Sequence, residues 1–334
     1  MINAAVLNFG TGETMAQARS TSTTKYFGVA ILWIAGLIAL LPASASVAAD
    51  GAALETVKVF ILAGQSNMQG HGKVNAEPRA NGGKGSLEWL VKNGATAPRY
   101  KHLVDDTGKW TSRDDVEIWY LGRQGSLMPG FGFREGFIGP ELGFGHVMGN
   151  ALDEPILLIN LAWGGKSLAK DFRPPSSGGE VGPYYQELLQ LTKEVLADAQ
   201  SLFPQFGERR FELIGFGWHQ GWNDRVYQAF NDQYAENLAN FQYAENLANF
   251  IRDIRKDLKA PKLPFVVAET GMSGREEKHP RALSLMKAQA AVAECGEFQG
   301  NVAFVGTRDF YRPKEKNRRR DRDITGIATR IPTT

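Results

Sequence analysis

The chain has 334 residues, 43% hydrophobic and 22% charged, which is ordinary for a globular protein and enough for one large domain or two small ones. A formal net charge of +2 gives no general case for a nucleic-acid partner. With Cys295 as its single cysteine the chain forms no internal disulfide, so stability must come from the core, and that cysteine is expected as a small buried apolar residue.

Residues 1–49 read as an export signal with an N-terminal extension. Arg19 and Lys25 precede the apolar run 28–41, followed by Pro42 and two small-residue sites, 43–45 and 47–49. The run falls short of the ~20 residues a spanning helix needs, so cleavage is expected rather than an uncleaved anchor. No later segment is long and apolar enough to span a membrane. The expected location is periplasmic or extracellular.

Residues 50–312 form the expected domain. Short apolar runs at 57–62, 156–161, 211–217, 265–268 and 302–305 lack strict alternation, as do parallel strands buried on both faces. Residues 116–121 are an additional strand candidate. Helical spacing appears at 184–199 and 280–293. Alternating strands and helices predict a three-layer, doubly wound α/β domain of about five parallel strands. Two segments break the pattern. Residues 233–241 are repeated without change at 242–250, and nine residues turn a helix face by about half a revolution, which predicts a bulge, a loop-out or a longer exposed helix. Residues 313–334 carry seven Lys and Arg against three Asp and Glu, with no apolar period. They read as a disordered basic tail, and the helix expected to close the sheet after 305 is missing.

The loops after these strands hold the polar residues. Gly64, Gln65, Ser66 and Asn67 follow the first, Trp163 to Ser167 the second, Trp218 to Gly221 the third, Glu269 and Thr270 the fourth, and Thr307 to Asp309 the fifth. In open parallel sheets a ligand sits beyond the carboxyl ends of the strands, so these clusters are expected to converge. A serine on a sharp turn before a helix is open to substrate, with backbone N–H groups nearby to hold an oxyanion. Ser66 capping the next helix is the plainer reading of that residue alone. The G-x-S-x-G elbow of α/β-hydrolases is not met, because Met68 occupies its last position. No H-E-x-x-H or cysteine cluster is present, so neither metal nor cofactor is expected. The absence of a Walker or dinucleotide pattern argues against a flavodoxin-like nucleotide site.

The string from Val57 to Gly70, V-K-V-F-I-L-A-G-Q-S-N-M-Q-G, resembles the nucleophile block of the sialate O-acetylesterase-like branch of the SGNH hydrolases. Ala162 to Leu168 is similar to that family's glycine block, and Gly217 to Asp224 to its W-H-Q-G block. Three blocks in order, over roughly residues 55–312, are far more specific than any one. The resemblance implies an esterase acting on acetylated carbohydrate, with Ser66 as nucleophile. It implies an oxyanion hole from the Ser66 N–H, a glycine N–H of the 164–165 pair with Gly165 foremost, and the side-chain amide of Gln220. Gln65, Asn67, Gly164, His219 and Asp224 are the expected substrate-contacting residues.

In that family the catalytic histidine follows the last strand, with its acid close by. Here no histidine follows His279, and a frameshift or truncation in the tail is the expected cause. His219 is the histidine best placed to substitute; Asp309 and Asp224 are the candidate acids. His71 reads as a loop residue, His146 as a packed one, and His279 as a helix-start residue. The alternative function is a carbohydrate-binding protein that has lost turnover. Trp163, Trp218 and Trp222 lie at the strand ends, where sugar rings stack but core tryptophans are equally common.

Overall fold

The computed structural model describes residues 55–79, 81–226 and 236–311. The expected export signal, the start of the repeated segment and the expected basic tail lie outside the described residues.

Seven strands form the main sheet: β1 (Thr56–Gly64), β3 (Arg113–Tyr120), β4 (Arg123–Leu127), β6 (Ile156–Ala162), β7 (Arg210–His219), β8 (Phe265–Ala268) and β9 (Val302–Val305). A separate pair, β2 (Gly72–Lys73) and β5 (Phe137–Ile138), is antiparallel. The helices are α1 (Ser66–Gln69), α2 (Leu87–Lys92), α3 (Ala97–Tyr100), α4 (Pro140–Ala151), α5 (Pro183–Ala197), α6 (Ala199–Leu202), α7 (Trp222–Val226), α8 (Glu236–Asp257) and α9 (Pro280–Ala293). The order across the main sheet is β4-β3-β6-β1-β7-β8-β9, and every pairing is parallel except β3 with β4. The sheet thus has six parallel strands and an antiparallel edge, more than the five expected. The additional strand candidate is β3.

Strand β1 shows why these runs fold this way. Val57, Val59, Ile61 and Ala63 are fully buried with side chains of α5, α8 and α9. On the opposite face the Phe60 ring lies 5.0 Å from Phe144 of α4. Helices therefore cover both faces, which is why the strand reads as a continuous apolar run. Each fully buried Val, Leu or Ile contributes about 1.5–3 kcal/mol. From β1 the chain reaches β6 on one side and β7 on the other, so the carboxyl end of β1 is the switch point where such folds place their ligands.

The lone cysteine differs from expectation. Cys295 is exposed, because it sits past the end of α9 in the turn before Gly296–Phe298 rather than on the buried helix face.

Candidate active site

Gly64 ends β1 and pairs with His219 of β7. A Cβ at Gly64 would stand 2.2 Å from the His219 carbonyl oxygen, so only glycine lets the strands close up there. The chain then turns through Gln65 (φ −115°, ψ −152°) into α1. Ser66 and Asn67 are half-buried on this turn, while Gln65, Met68 and Gln69 are buried. The Trp163 N–H donates to the Gly64 carbonyl at 3.1 Å, which fixes the start of the glycine block beside β1. Gly164 and Gly165 are exposed. Among the described residues, the N–H groups of Ser66, Asn67, Gly164 and Gly165 meet no acceptor. These are the donors an oxyanion at Ser66 needs.

Beneath this surface lies a buried polar lattice. Gln65 Oε1 accepts from the N–H groups of Gly221 (3.1 Å) and Asn223 (3.2 Å) and from Gln220 Nε2 (3.2 Å). Gln220 Nε2 also donates to the Lys166 carbonyl (2.9 Å) and to Asp224 Oδ2 (2.5 Å). Asp224 accepts from the N–H groups of Leu168 (2.9 Å) and Ala169 (2.8 Å). The Tyr243 hydroxyl lies 3.0 Å from Gln220 Oε1, and Gln289 Nε2 donates to the Gln220 carbonyl at 2.7 Å. The lattice therefore ties the Ser66 turn, the glycine loop and the start of α7 into one unit.

Four expected roles change as a result. Gln220 is fully buried, and its two amide hydrogens already face three acceptors, so none remains for an oxyanion. Gln65 is also buried; it anchors loops, and its Nε2 touches Ser66 Oγ only at 3.5 Å. Asp224 is a buried anchor rather than a substrate contact, and burial raises its carboxyl to about 6 against the pull of Gln220 and the backbone N–H groups of Leu168, Ala169 and Asp224 itself. His219 is buried too, with Nε2 3.1 Å from the Glu269 carbonyl. A carbonyl only accepts, so Nε2 carries the proton. Burial holds this imidazole down at about 4, and no hydrogen bond joins it to Ser66 Oγ. Asn67 keeps only long contacts, 3.4 Å to His219 Nε2 and 3.4 Å to the Thr270 carbonyl.

All five histidines are among the described residues, and none hydrogen-bonds Ser66 Oγ. His71 stacks on Phe133, His146 is buried on α4 facing His102, and His279 caps α9. Asp309 is exposed and paired with Arg275 at 2.5 Å. Glu269, one of the strand-end residues expected to converge here without an assigned role, is buried. Its Oε2 accepts from Thr307 N–H at 3.0 Å and its Oε1 pairs with Arg308 at 3.0 Å, which holds the loop after β9. Tyr243 and Gln289 were missed because each lies on a helix outside the three blocks and the strand-end loops. Among the described residues no group of three or more His, Cys, Asp or Glu is placed to hold a metal ion.

A half-buried serine on a tight turn thus lies at the switch point of a mainly parallel, doubly wound α/β sheet, with unbonded glycine N–H groups in the neighbouring loop. The chain belongs to the carbohydrate esterase, sialic acid-specific acetylesterase family, which matches residues 56–316, and it is a carboxylic ester hydrolase by that membership. Its fold is similar to that of a protein from Arabidopsis thaliana at 16% identity, covering 81% of this chain and 94% of that one with a TM-score of 0.49. A carbohydrate acetylesterase from Xanthomonas citri is similar at 14% identity over 76% of this chain and 50% of that one, TM-score 0.45. NanS is similar at 14% identity over 76% and 78%, TM-score 0.44. No curated relative matches the sequence.

Proposed function

We propose that the chain is an exported esterase that removes O-acetyl groups from carbohydrates through an acetyl-enzyme at Ser66. The observation that carries this reading is Ser66 itself, presented by the Gly64 turn at the switch point with unbonded N–H groups on its own turn and on the 164–165 loop. Ser66 Oγ attacks the acetyl carbonyl, and its proton passes through solvent to the departing sugar oxygen. The N–H groups hold the oxyanion, the sugar oxygen leaves protonated, and water then releases acetate from the serine. No histidine receives the Ser66 proton directly, so turnover rests on the oxyanion donors and substrate binding, the residual level left when a triad base is lost.

The same observation favours a second reading, a carbohydrate-binding protein without turnover. Hydrolysis of phenyl acetate by the purified protein, beside Ser66→Ala, separates the two. Activity that falls to background in the variant supports the esterase, and activity unchanged in the variant refutes Ser66 as nucleophile. Two folded, inactive proteins support the binding reading. Export is supported by recovering a chain shortened at its N-terminus outside the cytoplasm, and refuted by full-length chain retained inside.

A further inference from the structure

The three tryptophans at the strand ends have different surroundings. Trp218 is fully buried, and Trp163 packs on Phe172 and Tyr184. Trp222 is 42% exposed. A single exposed apolar side chain is ordinary on a protein surface, but the place of this one is not arbitrary. Its neighbours on both sides, Gly221 and Asn223, donate their backbone N–H groups to Gln65, the residue before Ser66. The Asn223 side chain donates to the Gly165 carbonyl, on the loop of the oxyanion donors. The backbone of Trp222 is thus pinned to both halves of the ester site.

Its side chain is also held. Arg225, one turn later on α7, places its guanidinium carbon 4.7 Å from the centre of the Trp222 ring, and its Nη1 lies 3.5 Å from Met272 Sδ. A cation over one face fixes the ring. It thereby keeps a rigid apolar plate at the rim at little cost in side-chain entropy on binding.

We propose that Trp222, oriented by Arg225, is the sugar-ring subsite: the indole stacks on the C–H face of the pyranose whose acetyl group lies at Ser66. The inference rests on the reading of the site as one for acetylated carbohydrate. A rigid aromatic suits that ligand, because a pyranose presents an apolar C–H face and a polar hydroxyl rim, and the indole can meet the first while leaving the second in water.

The test separates this subsite from the esterase reading. In full-length Ser66→Ala protein, binding of an O-acetylated sialic acid and of an O-acetylated neutral xyloside is followed by calorimetry and tryptophan fluorescence, so turnover plays no part. Adding Trp222→Ala is expected to weaken binding of the sugar that binds by about tenfold, the size of one aromatic contact. Trp222→Phe is expected to keep most of the affinity, and Arg225→Ala to lose only a few-fold. Equal affinity with and without the indole overturns the proposal, and so does failure of both sugars to bind. Loss with Phe133→Ala but not with Trp222→Ala moves the subsite to the far end of α1 and overturns it equally. A protein inactive on phenyl acetate that binds sugar through Trp222 refutes the esterase reading and leaves this one standing.

Discussion

Asp224 is buried, and the Leu168 and Ala169 N–H groups and Gln220 Nε2 all donate to it. Its value to the protein lies in accepting from all of them. Asp224→Asn turns one oxygen into an NH₂ group that must face a donor. The expected cost is about 1–3 kcal/mol at pH 7, the penalty of leaving a buried donor unsatisfied. Urea denaturation measures it. Any activity is expected to fall with it, because the same carboxylate holds the loop that carries Gly165. A variant as stable and as active as the parent would refute the anchoring role. At this scale the sequence was only half legible. Ser66, Asn67, Gly164 and Gly165 sit at the surface of the site as their turn and glycine chemistry implied. Gln65, Gln220, His219 and Asp224 also lie at the strand ends, but one layer down. Residue type shows that an amide can donate; it does not show that its hydrogens are already engaged by a glutamine 155 positions away.

At the scale of elements, the buried parallel strands announced themselves. Strands β8 and β9 match their apolar runs residue for residue, β1 and β7 extend theirs by one residue at the start and two at the end, and β6 extends its run by one residue at the end. Strand β4, Arg-Gln-Gly-Ser-Leu, gave no such signal. It is an edge strand with one buried residue, and its pairing with β3 supplies what its side chains do not. The repeated nonapeptide is more instructive. In its second copy Tyr243, Leu247, Ala248 and Phe250 are core residues, and Ile251 and Ile254 continue the same helix into the core. Deleting residues 233–241 yields the same sequence as deleting 242–250, and it leaves the remaining copy in frame with Ile251. The buried face of α8 therefore survives, and only the chain leading into it is shortened, by nine residues. The expected outcome is a folded protein whose urea stability changes by less than about 1 kcal/mol, within the range of surface changes. A loss of several kcal/mol would show that the first copy belongs to the core.

At the scale of the whole molecule, burial sets two opposing responses to acid. His219 and His146 are both held down to about 4, chiefly by desolvation, with His102 and Arg113 adding to the effect at His146. Below pH 6.5 the unfolded chain protonates these rings while the native protein does not, so their contribution is lost as pH falls from 6.5 to 4. Glu141 and Asp224 behave oppositely. Burial raises them to about 7 and about 6, so the native state takes up their protons first and gains stability as pH falls through those values. With two groups of each kind, stability between about pH 6.5 and 4.5 is expected to be nearly flat, and single substitutions should unmask the opposing slopes. His219→Gln should gain on the parent by up to about 1.4 kcal/mol per pH unit as pH falls through that range, and Glu141→Gln should lose ground with a slope of the opposite sign. Urea denaturation of the three proteins at pH 7, 6, 5 and 4.5 reads both differences. Their absolute offsets report packing and hydrogen bonding, whereas the slopes report titration alone. Two slopes of the same sign would mean that one of these buried groups does not stay neutral over this range, and the site would then hold a charge beneath Ser66 or behind the first turn of α4.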